Sequence, residues 1–190
     1  MEVKNENPFE FIKEKNLSLV LQMYFKINHL KQLYRQGWLR YIDKEKCESV
    51  ADHIFGVAIL VILINDIYSL DLDLEKIVIM SLIHEMGEIK NGDITPLDGI
   101  SKEEKHAMEK KGVIELFKDF PEAEKYIAIW EEFEKRETRE ARIVFQAEKL
   151  EMALQAKIYE FQYGKDLSEF QKYVEDILTD DFLKDILSQI

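Results

Sequence analysis

The sequence predicts an all-α protein. Two observations carry that expectation: apolar residues recur at helical spacing, and alternating strand-like runs are scarce; separately, only 7 Gly and 3 Pro among 190 residues leave little material for linkers. Leu17, Val20, Leu21, Tyr24, Phe25 and Ile27 fall three or four positions apart or side by side, the pattern that lines one side of a helix. A chain of this length suits a single domain over residues 1–190 with a core of useful size.

The elements follow in order. After the first helical stretch, IFGVAILVILI from Ile54 to Ile64 reads as a buried core helix, since the run is too short to cross a bilayer. Asp73 caps LEKIVIMSLIHEMGEI, one helix carried through to Ile89. Gly92, Pro96 and Gly99 then break the chain between Ile89 and Ile100 into a substantial loop, the kind of segment where function tends to sit. Ser101 with Glu104 makes a capping box for the next helix, and Pro121 stands where a first helical turn tolerates it. Thr138 caps the long segment beyond, and Asp166 or Ser168 caps the one after a boundary near Gly164.

Composition limits the partners. A formal net charge of -12 opposes attraction to a nucleic-acid polymer, whose binding requires Lys and Arg against phosphates. No membrane association is expected, and a small anionic ligand needs a local cation. The single cysteine, Cys47, rules out an internal disulfide and fits a reducing compartment, where a buried, inert thiol is expected. MEVKNENPFEFIKEKN is polar and acidic and does not read as a secretory leader, so the expected location is the cytoplasm.

HEMGEIKNGDITP, from His84 to Pro96, concentrates ionisable side chains. On a helix Glu88 lies one turn beyond His84 on the same side, and an acid near a helix C-terminus meets the negative end of the macrodipole. His84 and Glu85 point about 100° apart and converge only on something lying between them. A metal ion is one such object, and a mixed imidazole and carboxylate set suits Mn, Co, Fe, Zn or Mg. His53 precedes a run of core residues, and Glu148 lies in the strongly helical QAEKLEMALQAK. Taken singly, each has an ordinary explanation: a satisfied core histidine, a solvated acidic helix end, a Gly-Asp turn at Asp93, or a Glu paired with a nearby Lys. His106 in SKEEKHAMEKK reads as solvated, His29 is ambiguous, and Trp38 and Trp130 read as packing anchors. Trp38 also lies beside Arg35 and Arg40, where a ring and a guanidinium can accept a base and a phosphate.

Taken together, His53, then His84 with its neighbouring acid, then an acid in QAEKLEMALQA resemble the H…HD…D pattern of the HD-domain phosphohydrolases. RQGWLR, ESVADH, SLIHEMGEIKNGDITP, ISKEEKHAMEK, WEEFEKRETREAR and EKLEMALQAK are similar to successive blocks of the HD-domain 5'-deoxynucleotidases, across roughly residues 30–163. The resemblance implies a helical bundle of the HD type with about six to eight helices. Residues 166–190 would supply C-terminal helices packed on it. It implies one divalent metal ion per site, whether Co, Mn, Mg, Fe or Zn, held by His53, His84, Glu85 and Glu148. It assigns Glu88 and Asp93 to catalysis, and Arg35, Trp38 and Thr95 to substrate binding. The implied activity is release of phosphate from deoxynucleoside 5'-monophosphates by a homodimer. Other nucleotide or phosphate-ester hydrolysis, or a binding protein with a degenerate metal site, are the alternatives. Two residues depart from the pattern: Glu85 stands in place of the Asp of HD, and Glu148 in place of the last Asp. Each carries an added carbon-carbon bond of about 1.5 Å.

Overall fold

The computed structural model describes residues 2–95 and 98–190, so Pro96, one of the expected loop breakers, lies outside the described residues. The protein is all-α. Nine α-helical segments are placed among the described residues, α1 (Leu19–Asn28), α2 (Val50–Ile67), α3 (Leu74–Ile83), α4 (Glu88–Asn91), α5 (Lys102–Phe117), α6 (Ala123–Lys135), α7 (Arg139–Tyr163), α8 (Ser168–Ile177) and α9 (Asp181–Ser188). Extended pairing among the described residues is limited to isolated bridges, Val3 with Leu33 and Tyr34 with Ser49.

Contacts divide the chain into two compact units interleaved in sequence, Met1–Ile54 with Leu82–Glu131, and Phe55–Ser81 with Glu132–Ile190. In the first unit, short 3-10 turns follow α1, and the capping box of Ser101 and Glu104 starts α5 as expected. Leu33, Trp38, Val50, Val113 and Trp130 are among its buried apolar side chains. Pro121 lies in a turn just ahead of α6 and not inside its first turn. α5 packs unusually close to the segment before it. A Cβ on Gly112 would come within 2.6 Å of the Gly87 carbonyl oxygen, and one on Gly87 within 2.7 Å of Glu109 Cβ.

In the second unit, Asp73 caps α3 through the Lys76 N–H at 3.0 Å, and Thr138 caps α7 through the Ala141 N–H at 3.2 Å. Gly164, with a φ of 63°, ends α7 in the left-handed conformation that glycine adopts without penalty. Small residues Ala141, Ala147, Ala153 and Ala156 line its buried side. Gln146 on α7 fastens the chain ahead of α9: its amide donates to Asp180 Oδ2 at 2.6 Å and its oxygen accepts from the Thr179 N–H at 2.6 Å.

Two expectations need correction. The helix predicted to run from Leu74 through Ile89 ends at Ile83, and residues 84–87 form tight turns before α4. Hydrogen bonds from Met86 N–H to Ile83 O and from Glu88 N–H to Glu85 O close this stretch at three-residue spacing. The apolar run on α2 is buried on one side only. Val57 and Val61 are fully buried, whereas Phe55 is 67% and Ile67 71% exposed, with Ile59 and Leu63 exposed between them.

Candidate metal centre and active site

The ESVADH stretch builds its own helix start. Ser49 N–H donates to Asp52 Oδ2 at 2.8 Å and Asp52 N–H donates to Ser49 Oγ at 3.2 Å, a reciprocal cap at the head of α2. Asp52 is therefore a capping group, and the next residue, His53, is delivered fully buried. His84 follows the end of α3, and its carbonyl accepts the Trp130 indole N–H at 3.1 Å. The two imidazoles meet, with Nε2 atoms 3.5 Å apart. Glu85 Oε1 stands 3.9 Å from His53 Nε2 and 3.8 Å from His84 Nε2.

Two ligands about 2.1 Å from a shared divalent ion stand about 3–3.5 Å apart, which is the spacing of this histidine pair. All three donor atoms fall within 4.8 Å of one another, and two nitrogens with a carboxylate oxygen suit first-row divalent metals. Glu88 gives an independent sign. It is 0% exposed, and neither of its carboxylate oxygens has a hydrogen-bond partner among the described residues. Burial pushes its carboxyl well above the ordinary range, and the charges of Glu85 and Asp93 push the same way while Arg35 and Lys105 oppose them. Burial of a polar group without partners is costly, and a cation or a substrate group supplies the missing contacts. The residues present fit a divalent cation.

The remaining acids and bases are arranged around this point. Arg35 Nη1 lies 3.2 Å from Glu85 Oε1 and 3.6 Å from Asp93 Oδ1. Gly92, with a φ of 73°, turns the chain after α4, and Asp93 Oδ2 accepts the Gln36 N–H at 2.7 Å. The RQGW segment is held against the start of α2 by the Arg35 N–H to Glu48 O bond of 3.2 Å. Trp38 is buried and donates its indole N–H to Glu48 Oε1 at 2.7 Å. Burial raises the Glu48 carboxyl, against the pull of Arg35 and of the Trp38 hydrogen bond. The Thr95 hydroxyl donates to Asp98 Oδ2 at 2.9 Å, and the Thr95 N–H donates to the same oxygen at 2.7 Å.

Glu148 lies on α7 in the other unit, buried, with its carboxylate 2.9 Å from the Lys149 ammonium. Of the residues set aside in the sequence, His29 is buried with Nδ1 unpartnered among the described residues, and His106 is exposed and stacked on Trp130. Cys47 is buried, and burial raises its thiol to about 11, as an inert cysteine requires.

Sequence reasoning missed Glu109, whose carboxylate is within 4.8 Å of those of Glu85 and Glu88, and Lys105 beside it. Nothing in SKEEKHAMEKK separates these two from their charged neighbours. The nearest usable signal is Gly112, a mid-helix glycine that marks close packing.

The family model described as HD domain matches residues 27–186. Human 5'-deoxynucleotidase HDDC2 is 36% identical over 143 residues, covering 74% of this chain and 68% of that protein. The 5'-deoxynucleotidase hdd1 of Schizosaccharomyces pombe is 34% identical over 174 residues, 86% of either chain. This chain belongs to the HD-domain 5'-deoxynucleotidase family. A solved structure of similar fold is the PH0347 protein of Pyrococcus horikoshii OT3. It is 31% identical with a TM-score of 0.74, covering 89% of this chain and 96% of that one. In this member of the HD-domain 5'-deoxynucleotidase family, the pair that gives the domain its name reads His84-Glu85. The longer side chain has not carried the carboxylate out of reach, since Glu85 Oε1 remains within 3.9 Å of both imidazole Nε2 atoms.

Proposed function

We propose that this protein is a metal-dependent phosphohydrolase that takes the phosphate from deoxynucleoside 5'-monophosphates. The observation that carries the reading is the convergence of His53, His84 and Glu85 on one point beside the orphaned Glu88 carboxylate, in a chain whose relatives bear the name 5'-deoxynucleotidase. His53, His84 and Glu85 would hold the ion. A divalent ion, when bound, supplies Lewis-acid polarisation of a phosphate oxygen and acidifies a water molecule.

The chain's own groups do the rest. Glu88, its carboxyl raised above the ordinary range by burial, orients the attacking water and takes its proton at a carboxylate oxygen. Asp93, fixed by the Gln36 N–H, assists departure of the nucleoside 5'-oxygen. Arg35 exchanges its carboxylate partners for the substrate phosphate, two of whose oxygens suit a bidentate guanidinium fork. Trp38 and Thr95 take the family's nucleotide-contacting positions, with Trp38 held by Glu48. Glu148 enters as a further metal ligand from the family pattern alone.

The nitrogen and oxygen donor set favours Mn, Co or Fe over Mg. Cys47, free and buried, supports a reducing, cytoplasmic setting. The exposed apolar stripe of Phe55, Ile59, Leu63 and Ile67 on α2 supports a homodimer.

The test is phosphate release from deoxy- and ribonucleoside mono- and triphosphates with Mn, Co, Mg, Zn or chelator. Metal-dependent release, fastest from deoxynucleoside monophosphates, is expected. No release with any metal overturns the reading.

A further inference from the structure

Lys105 is a cation beside the acid cluster that the hydrolytic reading leaves without a task. It lies in the first turns of α5, in a run of charges that resembles a solvated surface, yet it is half-buried. Its Nζ donates to the carbonyl oxygen of Ile94 at 2.9 Å and lies 3.4 Å from Glu109 Oε1. Ile94 directly follows Asp93, and Glu109 shares its surroundings with Glu85 and Glu88. One ammonium thus grips the backbone beside Asp93 and faces the acid cluster that contains Glu88. The platform beneath it is tight. Asn91 Nδ2 donates to the Met108 carbonyl at 2.9 Å, and Gly87 and Gly112 let α5 approach the 84–91 segment at backbone distance.

Lysine normally keeps its strongly hydrated ammonium in water. Burial here works against the charge, but Glu85, Glu109, Glu88 and Asp93 outweigh it and hold the ammonium above the ordinary lysine range. Arg35 meets Glu85 and Asp93 as a second cation. The Arg35 guanidinium suits exchange of partners with a substrate phosphate, whereas the Lys105 hydrogen bond to a main-chain carbonyl suits a permanent strut.

We propose that Lys105 is a positioning residue of the hydrolytic site, fixing the Asp93–Ile94 backbone and offsetting the charge of Glu85, Glu88 and Glu109. The inference rests on the phosphohydrolase reading and adds to it a residue that acts through Asp93 and Glu88, not on the substrate. Loss of the ammonium frees the Ile94 carbonyl and loosens the loop that carries Asp93. Turnover then falls more than substrate binding, because Arg35 is retained.

The experiment compares wild type with Lys105→Met, Lys105→Gln and Lys105→Arg. Turnover is read with deoxyadenosine 5'-monophosphate and Mn, and amide hydrogen exchange is followed across Gly92–Thr95 in metal-free protein. Lys105→Met and Lys105→Gln are expected to lower kcat by about tenfold or more with KM changed by less than about threefold, and to speed exchange across the loop. Lys105→Arg, which keeps the charge and a donor, is expected to recover most of both. If one variant does not fold, the other reads the same two quantities. Wild-type kcat and wild-type loop exchange in a folded Met or Gln variant overturn the proposal. An inactive wild type overturns the hydrolase reading instead, and the exchange comparison still decides whether Lys105 braces the loop.

Discussion

A carboxylate buried at Glu88 with neither oxygen hydrogen-bonded among the described residues is a poor choice for stability and a good one for proton transfer. Burial disfavours its charge, and Glu85 and Asp93 disfavour it further. Glu88→Gln keeps the shape and removes the repulsion. Metal-free Glu88→Gln is therefore expected to melt about 2–6 °C above wild type, by calorimetry in chelator, while its kcat falls by about a hundredfold or more. A variant that melts lower and retains wild-type kcat removes Glu88 from the chemistry. With one methylene more than Asp, Glu85 keeps its Oε1 3.8 Å from His84 Nε2.

Helix ends and close helix contacts place these residues. The Ser49–Asp52 cap presents His53, and the end of α3 at Ile83 turns His84 and Glu85 inward before α4 begins at Glu88. α5 supports that turn at a distance only glycine allows. A Cβ at Gly112 meets the Gly87 carbonyl oxygen at 2.6 Å, so Gly112→Ala has no relaxation short of moving backbone. It is expected to cost about 1–3 kcal/mol in urea unfolding and to lower phosphate release, because the shifted segment carries Glu85 and Glu88. Gly37→Ala, where a Cβ meets nothing within 4 Å, is expected to stay within about 0.5 kcal/mol of wild type. Equal stability of the two variants contradicts the close-packing account.

For the whole molecule, the α2 stripe is the surface on which the proposed homodimer rests. Phe55, Ile59, Leu63 and Ile67 recur every fourth residue and stay exposed, an arrangement that water disfavours. Wild type is expected to run as a dimer in light scattering at micromolar concentration, and a Phe55→Glu, Leu63→Glu double variant as a monomer. A monomeric wild type refutes the dimer. The site groups of the first unit, His53, His84, Glu85, Glu88, Asp93 and Arg35, are untouched by these substitutions.

The sequence by itself determined the helical class, the caps at Asp73, Ser101 and Thr138, and the buried cysteine, and through its family resemblance it named His53, His84, Glu85 and Glu88 as candidates. These depend on spacing and on side-chain chemistry, both of which are local. The sequence did not reveal that α3 stops at Ile83, since SLIHEMGEI has no proline and its glycine alone does not fix where the turn falls. It also hid Glu109 and Lys105 in a charged run, and it gave no sign that one side of IFGVAILVILI lies open. Only tertiary structure decided those points. Whether a carboxylate is solvated or buried, and whether two imidazole nitrogens meet at 3.5 Å, depends on which distant segment packs against it, and periodicity along one helix carries no record of that neighbour.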